Sequence, residues 1–525
     1  MYLTIPSRIP QIDAYAAREL KIPVIRLMGN AGRAFADAIA ERVAVGSRVL
    51  ILAGPGNNGG DGYAAALRLA ECGYETKVIE LLAESHKSAA TMYYAALYSR
   101  SGGAKVAYGD LAEGELDELL CSAAAIVDAI FGTGARLELP EEIRELLTRI
   151  RDLENPPLRV AADLPTGVDG DSGRVGDICF TADLTVCFAV GKRGMYAYPA
   201  REHCGEIIIS DIGIDSELLK KNFPSSDRLL DRALAASLLP RRARNTHKGS
   251  FGRLLMLAGS RAYRGAALLA GEAALRSGAG VVTLASHESV TELAVGRFPE
   301  MIVMPTQELD RLDREHTKAL YEAAERASCI LIGPGSGVSN SLCCLIWELM
   351  NRPGAPLVVD ADGLNSLAMH HSETLSRLKN AKRTVILTPH PLELARLAAL
   401  TVQDVQSDRI GTVLRFAKAS HATVVLKGAG TLIASSDGSL SLNSSGSPAL
   451  SKAGSGDVLA GSIAAFLAQG ISAHDAASLA VYLHGAAGDR LAESYSEYGV
   501  LSAQIPEQIA RELRSLERMR DGEAQ

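Results

Sequence analysis

The feature that most constrains the fold is the repeated alternation of short Val/Ile/Leu runs with segments of helical pattern. Between Arg48 and about Ile214 these runs are VLILAG, TKVIEL, AAIVDAIFGTG, LRVAADLPTG, LTVCFAV and GEIIISDIGI. Runs that are apolar on both faces are typical of strands in a parallel sheet covered by helices. A helix that packs on this sheet is predicted before the first run, where apolar residues recur at helical spacing. They are Leu27, Met28, Ala31, Phe35 and Ile39.

The alternation stops near residue 215 and restarts after residue 250. The intervening stretch carries charges, prolines and serines without a strand pattern, so we expect a linker there. The later runs are RLLMLAGS, GVVTLAS, CILIGPGSG, APLVVDADGLN, TVILTPH and ATVVLKGAGT. At about 100–200 residues per domain, the 525-residue chain is predicted to hold two α/β domains, 1–222 and 223–525. The first is expected to be a Rossmann-like three-layer α/β domain.

Composition limits the classes of partner. A formal net charge of -7 provides no broad basic surface, which disfavours nucleic acid and anionic membranes as main partners. The eight cysteines form no CxxC pair, and no segment approaches the ~20 apolar residues that span a bilayer. We therefore expect a reduced, cytoplasmic protein that acts on small molecules.

Three polar segments follow predicted strands of the first domain, and parallel strands place such segments at one sheet edge. They are GPGNNGGDG (54–62), IVDAIFGTGARLE with Asp128, and AADLPTGVDG with Asp163 and Thr166. The glycines of the first segment are expected to permit positive φ and close backbone approach, so that amides surround an anion or a ribose. A tight turn is the alternative.

Asn58, Asp128 and Thr166 offer an amide oxygen, a carboxylate and a hydroxyl from three different segments. Hard oxygen donors of this kind suit a group-one ion, magnesium or calcium and do not suit zinc. The same residues are also ordinary caps at strand ends, and the pattern alone leaves both interpretations open.

The first half resembles the NAD(P)H-hydrate epimerase domain over residues 1–220, through LMGNAGRAFADAI, GPGNNGGDGYAAALRL, VDAIFGTG and ADLPTGVDGDSG. The resemblance implies interconversion of the R and S forms of hydrated NADH or NADPH, with Asp163 as acid/base. It implies a potassium ion held by Asn58, Asp128 and Thr166. It also implies contacts to the hydrate from Asn57, Asn58, Gly59, Gly60, Asp61, Gly132, Thr133, Gly134, Ala135, Arg136, Leu137, Glu138 and Asp163. Gly29 departs from the family pattern, which has glutamate before Asn-Ala-Gly.

Several segments of the second half are compatible with a phosphorylated ligand. Ala453 to Asp457, in KAGSGDVLAG, places small residues at a helix N-terminus, where free amides bind anions. The helix dipole is expected to favour ionised Asp457, which can then accept a proton from a substrate hydroxyl; a simple helix cap is the alternative. Other residues remain open between a ligand role and a structural one: His390, the pair Asp360 and Asp362, and the pair His247 and Lys248.

The second half resembles the ADP- or ATP-dependent NAD(P)H-hydrate dehydratase, which is ribokinase-like, through HKGSFGRLLMLAGS, TPHP, KGAGT and GSGDVLAG. The resemblance implies removal of water from the S hydrate with magnesium and ADP or ATP, and it makes Asp457 the base. It implies hydrate contacts from Ala266, Gly335, His390 and Asp457. It implies nucleotide contacts from Lys427, Gly428, Ala429, Gly430, Thr431 and Gly456. Leu392 replaces the family's glycine in TPHPGE, and SSGSPALSKAGSGD is rearranged.

The favoured hypothesis is a bifunctional metabolite-repair enzyme acting on NADHX and NADPHX. Spontaneous hydration yields both epimers, so a dehydratase specific for S needs an epimerase to recover the other. The alternative is a ribokinase-like kinase of a small vitamin alcohol fused to a non-catalytic nucleotide-binding module. The sequence leaves open a homo-oligomer and the choice between ADP and ATP.

Overall fold

The computed structural model describes residues 2–82, 87–112, 114–134, 137–309, 311–312 and 314–522. The chain divides into two compact units, Tyr2–Asp227 and Arg228–Gln525. Compactness alone does not define the limits of a domain that folds by itself, so the boundary between 222 and 223 stays a prediction. No helix among the described residues is both long enough and apolar enough to cross a membrane.

The N-terminal unit contains a parallel sheet and a small strand pair. Its strands are β1 Leu3–Thr4, β2 Arg48–Ala53, β3 Glu75–Glu80, β4 Ala104–Ala107, β5 Ala125–Ala129, β6 Leu158–Ala162, β7 Leu184–Phe188, β8 Gly191–Lys192 and β9 Glu206–Ser210. Its helices are α1 Ile9–Arg18, α2 Val24–Ala40, α3 Asn57–Glu71, α4 Ala89–Arg100, α5 Glu115–Ser122, α6 Glu141–Arg151 and α7 Ser216–Asn222. The seven-stranded sheet has the order β4-β3-β2-β5-β6-β7-β9, and β1 pairs with β8.

The sheet of this unit is buried on both faces, as the continuous apolar runs predict. Val49 and Ile51 of β2 pack in one core with α2 and α3, whereas Leu50 and Leu52 pack in another with α5 and α6. Successive side chains of a strand point to opposite faces, so this division places a helical layer on each side. The three-layer prediction is confirmed.

The predicted N-terminal helix is also confirmed, as α2. The five residues at helical spacing are all buried within it, and they lie in the core that covers one face of the sheet, except that Met28 packs in a smaller cluster with Ala64 and Ala90. Pro23 precedes the first turn, where its fixed φ and missing N–H are tolerated.

The C-terminal unit holds a ten-stranded sheet. Its strands are β10 Asp227–Leu230, β11 Arg253–Leu257, β12 Val281–His287, β13 Ile302–Thr306, β14 Cys329–Ile332, β15 Leu357–Val359, β16 Val385–Leu387, β17 Thr423–Leu426, β18 Leu432–Ala434 and β19 Leu440–Asn443. Its helices are α8 Arg232–Leu238, α9 Arg264–Arg276, α10 Glu288–Arg297, α11 Arg314–Glu325, α12 Asn340–Met350, α13 Asp362–Ala368, α14 His371–Lys379, α15 Pro391–Ala398, α16 Val402–Ser407, α17 Arg409–Ser420, α18 Ser455–Ala468, α19 Ala473–Gly499 and α20 Ile505–Asp521.

The order of these strands is β10-β19-β18-β17-β16-β15-β14-β11-β12-β13. Pairing is parallel from β13 through β17 and antiparallel between β17, β18 and β19. In each unit the chain first adds strands on one side of its first long strand and then on the other. The reversal lies between β2 and β5 in the first sheet and between β11 and β14 in the second, and ligands of open α/β sheets bind at such points.

The prediction of a strandless linker near residues 215–250 is wrong. That stretch contains α7, β10 and α8, and β10 extends the C-terminal sheet at its edge. Leu229 and Leu230 are buried, and Asp227 and Arg228 at the start of the strand hide its apolar pattern in the sequence. A four-residue edge strand gives too short a periodic signal to be recognised.

Candidate active sites

The segment GPGNNGGDG is mostly helix, because α3 begins at Asn57. None of its five glycines has φ in the left-handed region, so the predicted positive φ is wrong. What the glycines allow is close approach of backbone. A Cβ at Gly54 would lie 2.1 Å from the carbonyl oxygen of Ile130, and one at Gly59 would lie 1.9 Å from the carbonyl oxygen of Gly54.

These distances predict that Gly59→Ala destabilises the N-terminal unit by about 3 kcal/mol or more, because a backbone carbonyl cannot move away as a side chain can. Gly56→Ala is the matched control, since φ there is -78° and no atom lies within 4 Å of the added methyl. Thermal unfolding of both variants tests the difference. Equal unfolding midpoints for the two variants would contradict the packing role of Gly59.

Asp128 and Thr166, two of the three predicted potassium ligands, contact each other beneath the loops. The Asp128 Oδ1 accepts a hydrogen bond from the Thr166 hydroxyl at 2.8 Å and from the Ile130 N–H at 3.1 Å. Its Oδ2 accepts one from the Thr166 N–H at 2.7 Å. Thr166 Oγ1 in turn accepts from the N–H of Phe131 at 3.2 Å. The loops after β5 and β6 are therefore tied together by one buried carboxylate.

Asn58 has a buried polar atom without a described partner, and Asp128 is a buried carboxylate without a described ion pair. Burial raises the pKa of Asp128 to about 6, although its hydrogen bonds to Thr166 and Ile130 oppose that shift. The side-chain nitrogen of Asn58 is buried and makes no hydrogen bond to any described residue. Because the two amide atoms exchange by a 180° flip, the carbonyl oxygen fits the same position. A set of hard oxygen donors that includes a buried carboxylate without a described ion pair fits a cation.

A cavity of about 480 Å³ opens at the carboxyl ends of β2, β5 and β6. Seven of the residues predicted to contact the hydrate line it: Asn57, Asn58, Asp61, Gly132, Thr133, Gly134 and Asp163. Gly59 and Gly60 instead pack against neighbouring backbone and side chains, and Leu137 and Glu138 lie away from the lining. Ala135 and Arg136 lie outside the described residues. The volume is in the range usual for small-molecule sites.

Asp163 stands at the end of β6 in a strained conformation, with φ of 66°. Its Oδ1 accepts a hydrogen bond from the Phe188 N–H at 3.1 Å and pairs with the ammonium of Lys192. Lys192 is 1% exposed, and its Nζ also lies 3.1 Å from the sulfur of Cys187. Burial opposes the charge of Lys192, but the attraction of Asp163 and Cys187 outweighs it and raises the pKa of the ammonium. Strain of this kind is concentrated at functional sites.

Lys192 and Asp13 are residues of this cavity that the sequence did not reveal. Lys192 is in β8, whose partner β1 lies near the N-terminus of the chain. Two-residue strands leave no periodic signal, and Asp13 is one polar residue on the amphipathic helix α1. The VGKRG sequence after a buried strand could have indicated a functional lysine, because strand ends carry the ligand-binding residues.

Asp61 and Asp13 face the same cavity and are hard to ionise. Burial, followed by the charges of Asp163 and Asp13, raises the pKa of Asp61 well above its ordinary value. Burial and Asp163 likewise raise the pKa of Asp13, while Lys192 opposes the shift. The cavity thus has one carboxylate paired with lysine and two carboxyls whose pKa values are raised.

In the second unit the structure brings together loops that are distant in the sequence. A Cβ at Gly335 would lie 2.8 Å from the Cβ of Ala266, so these two predicted hydrate contacts adjoin. A Cβ at Gly456 would lie 3.5 Å from the Lys427 Nζ, which joins the KGAGT and GSGD segments. Gly454 precedes α18 with φ of 89°, a conformation that favours glycine.

Lys427 lies inside a cluster of carboxylates. Its Nζ is 2.7 Å from Asp360 Oδ1 and 3.8 Å from Glu393 Oε2, and the hydroxyl of Thr388 donates to the same Asp360 oxygen at 2.7 Å. Burial opposes the charge, but these carboxylates, Asp360 foremost, raise the pKa of Lys427. Its ammonium neutralises the cluster, a role that the sequence did not indicate.

Asp457 occupies the first turn of α18, beside this cluster. Burial and then the charge of Asp360 raise its pKa to about 7, although Lys427 opposes the shift. Desolvation therefore exceeds the ~0.3–1 kcal/mol by which a surface dipole interaction favours the ionised form, so the predicted effect of the helix dipole on Asp457 is outweighed. A carboxyl that titrates near neutrality is suited to proton transfer.

His390 caps the N-terminus of α15. Its Nδ1 accepts from the N–H of Leu392 at 3.2 Å and of Glu393 at 3.4 Å, and Glu393 Oε2 accepts from the His390 N–H at 2.8 Å. Burial, together with the charge of Lys427, lowers the pKa of His390. His390 therefore has the structural role of a helix cap. Its ring is exposed, and contact with a ligand stays a prediction.

The KGAGT segment is braced by a hydroxyl and a buried cation. Thr431 Oγ1 donates to the carbonyl of Gly428 at 2.9 Å. Arg409, only 3% exposed, donates from Nη2 to the carbonyl of Ala429 at 3.3 Å. Arg409 is the first residue of α17. The sequence does not predict its contact with the KGAGT segment, because that contact is formed only by the fold.

Asp362 and His247 make the contacts of local structure. Asp362 Oδ2 accepts from the N–H of Gly337 at 2.8 Å, which connects the GPGSG and DADGLN segments. His247 Nδ1 accepts from the N–H of Gly249 at 3.1 Å and caps a short 3₁₀ helix that starts at Lys248. His247 and Lys248 are both exposed, so phosphate contact by either stays a prediction.

The structure explains two departures from the family pattern. A Cβ at Gly29 would lie 2.3 Å from the hydroxyl of Tyr94, so tyrosine occupies the space of a longer side chain. That hydroxyl donates to the carbonyl of Ile25 at 3.0 Å and fixes the start of α2. Leu392 lies in the first turn of α15 with its side chain 41% exposed, a position that does not require glycine.

Comparison with known proteins gives consistent matches to both halves. A family model described as NAD(P)H-hydrate dehydratase matches residues 254–511, and one described as YjeF-related protein N-terminus matches residues 24–194. The bifunctional NAD(P)H-hydrate repair enzyme of Moorella thermoacetica is 36% identical, covering 98% of this chain and 97% of that protein. The bifunctional NAD(P)H-hydrate repair enzyme of Thermofilum pendens is 34% identical, covering 97% and 96%. Among solved structures, the ADP/ATP-dependent NAD(P)H-hydrate dehydratase of Bacillus subtilis, co-crystallised with ATP/Mg2+, is 30% identical with a TM-score of 0.49, covering 55% of this chain and 98% of that one.

Proposed function

Since this chain belongs to the family of bifunctional NAD(P)H-hydrate repair enzymes, we propose that Asp163 serves the epimerase half and Asp457 the dehydratase half. The chain is an NAD(P)H-hydrate epimerase joined to an ADP/ATP-dependent dehydratase, and the second half is ribokinase-like. The vitamin-alcohol kinase is not favoured. The cavity that gathers Asp163 with six other predicted contact positions is the observation that supports the residue assignment.

In the epimerase half, inversion requires the carbinolamine carbon to lose its hydroxyl and regain one on the other face. Asp163 points into the cavity beside Lys192, which stabilises its ionised form. Lys192 is buried, and Asp163 is the carboxylate with which it forms its described ion pair. The position of Asp163 in the cavity supports a role in taking a proton as water returns to the ring.

In the dehydratase half, the terminal phosphate of ADP or ATP is transferred to the ring hydroxyl. The C–O bond then breaks with its electron pair leaving on phosphate, and the neighbouring ring carbon loses a proton to water, which restores the ring double bond. Asp457 accepts the hydroxyl proton as the new P–O bond forms, and AMP or ADP is released. Asp360, Asp362 and Glu393 provide hard carboxylate oxygens, although no described cluster forms a complete metal site. These carboxylate oxygens fit magnesium, which is commonly held by one or two carboxylates together with phosphates. Magnesium would neutralise charge on the nucleotide.

Potassium in the epimerase half would be held by Asn58, Asp128 and Thr166. We expect Asn58→Ala to lower epimerase activity by about 10–100-fold, as removal of groups that support a metal does, and to weaken its dependence on potassium. Activity in potassium chloride against choline chloride measures this. Asn57→Ala, the exposed neighbour, should keep the potassium response. A full potassium response in Asn58→Ala would contradict the assignment.

Purified chain mixed with both NADHX epimers and ADP or ATP tests the whole proposal, with restored dihydronicotinamide absorbance as the signal. Recovery of both epimers is expected. Recovery of the S fraction alone, beyond the spontaneous rate, would remove the epimerase assignment. A stable phosphorylated product without NADH would remove the dehydratase assignment.

A cytoplasmic location and a homo-oligomer remain proposals. All eight cysteines are free, and each lies among the described residues, which fits a reducing compartment. The proposed substrates are NADHX and NADPHX with ADP or ATP, without nucleic acid or membrane.

A further inference from the structure

The N-terminal cavity carries an imbalance of charge. Four of its described lining residues bear ionisable charges: Asp13, Asp61, Asp163 and Lys192. If all were ionised, three carboxylates would share one ammonium in this cavity. Neighbouring like charges raise the pKa of a carboxyl, which favours retention of a proton on part of the set.

The ammonium of Lys192, the one cation among these four residues, already has partners. Lys192 pairs with Asp163 and touches Cys187, and it is 1% exposed. Asp163 also accepts from the Phe188 N–H and from the Cys187 thiol, so its Oδ1 has three donors. This arrangement makes Asp163 the member of the set whose ionised form is best stabilised.

Asp61 has no described hydrogen bond or ion pair of this kind, although the charge of Lys192 partly opposes the rise of its pKa. Among the described residues its carboxyl makes no hydrogen bond or ion pair that the structure shows, although it lines the cavity. It is the fifth residue of α3 and therefore lies beyond the first turn, where the free N–H groups and the dipole would stabilise an anion. The groups that face it from the surrounding elements are Asp13 on α1, Tyr94 on α4, Asp163 and Lys192.

We propose that Asp61 is a second catalytic residue of the epimerase: it donates a proton to the hydroxyl that leaves one face of the ring, while Asp163 accepts a proton from the water that adds to the other face. The inference rests on the proposed function of this half. Pairs of carboxyls whose surroundings separate their protonation states commonly divide the acid and base roles.

The proposed reaction is balanced without a co-reactant. The Asp61 proton joins the hydroxyl, the C–O bond breaks to release water, and the ring nitrogen's electron pair forms a C=N bond. Water then forms a new C–O bond on the opposite face, the C=N pair returns to nitrogen, and the water's proton goes to Asp163. One proton has moved from Asp61 to Asp163. The enzyme with the proton on Asp163 is the form that catalyses the reverse inversion, and proton exchange with water in the cavity interconverts the two forms.

The test compares Asp61→Asn, Asp61→Glu and Asp13→Asn in epimerisation of pure R hydrate, measured above the spontaneous rate. Asp61→Asn should lose about 10²–10⁴-fold, and Asp61→Glu should recover part of that loss because it keeps an acid. Wild-type activity should fall as pH rises through the pKa of Asp61, and that fall should be absent from the residual activity of Asp61→Asn. Dehydration of pure S hydrate and thermal unfolding of each preparation verify that the variants are folded.

The outcomes separate this inference from the function on which it rests. A wild-type chain that does not epimerise would overturn both. If the wild-type chain epimerises, any of three results would overturn only the role of Asp61. They are an Asp61→Asn variant that keeps more than a tenth of the activity, an Asp13→Asn variant that loses more activity than Asp61→Asn, and a fall in activity at high pH that persists in Asp61→Asn.

Discussion

Replacing Asp457 with Asn is expected to slow dehydration of the S hydrate by about 10²–10⁴-fold, while epimerisation by the same chain continues. The amide keeps the size of the side chain in the first turn of α18 but cannot accept the hydroxyl proton. Restored NADH absorbance with pure S hydrate and ADP or ATP measures the loss. Conversion of R to S hydrate in the same preparation serves as the internal control.

The pH dependence of the wild-type rate makes this prediction sharper. Only ionised Asp457 accepts a proton, and its pKa is raised to about 7, so the rate should increase as pH rises through about 7. Lys427 stabilises that ionised form, and Lys427→Met should move the increase to higher pH. Glu393 also has a pKa raised to about 7, by burial above all. Glu393→Gln is therefore the matched control, and disappearance of the increase in that variant would assign it to Glu393 instead of Asp457.

The architecture could be predicted because its signal is local. A strand buried on both faces must be apolar throughout, so runs such as VLILAG directly predict parallel strands. The meeting of the loops after β2, β5 and β6 then follows from geometry, since parallel strands end at one edge. The short strand β10 escaped prediction because its charged start resembles a loop and its burial depends on a distant partner, β19.

The chemistry of the sites was only partly predictable, for the opposite reason. Asp163 and Asp457 belong to continuous motifs, but the ammonium that pairs with Asp163 comes 29 residues later from a two-residue strand. No periodicity records which charge will be buried beside which. The same holds for Asp457, whose raised pKa depends on burial and on Asp360, contributed by a different strand end. The motif alone predicts only the effect of the helix dipole on the pKa of Asp457, and desolvation outweighs that effect.

Asp163→Asn is expected to lower epimerisation by about 10²–10⁴-fold, so that recovery of NADH from mixed epimers stops at the S fraction plus the spontaneous contribution. The change removes the group that receives the proton from returning water. Dehydration of pure S hydrate should proceed at the wild-type rate. Asp177→Asn, which removes an exposed carboxylate farther along the same loop, is the matched control and should recover both epimers.

The variant also leaves Lys192 buried without its partner, and breaking a buried ion pair costs about 3–5 kcal/mol. A loss of activity by unfolding must therefore be distinguished from a loss of chemistry. The double variant Asp163→Asn with Lys192→Met removes both charges, and we expect it to regain thermal stability without regaining epimerisation. A double variant that recovers epimerisation along with stability would show that Asp163 only balances the charge of Lys192, and the catalytic assignment would fail.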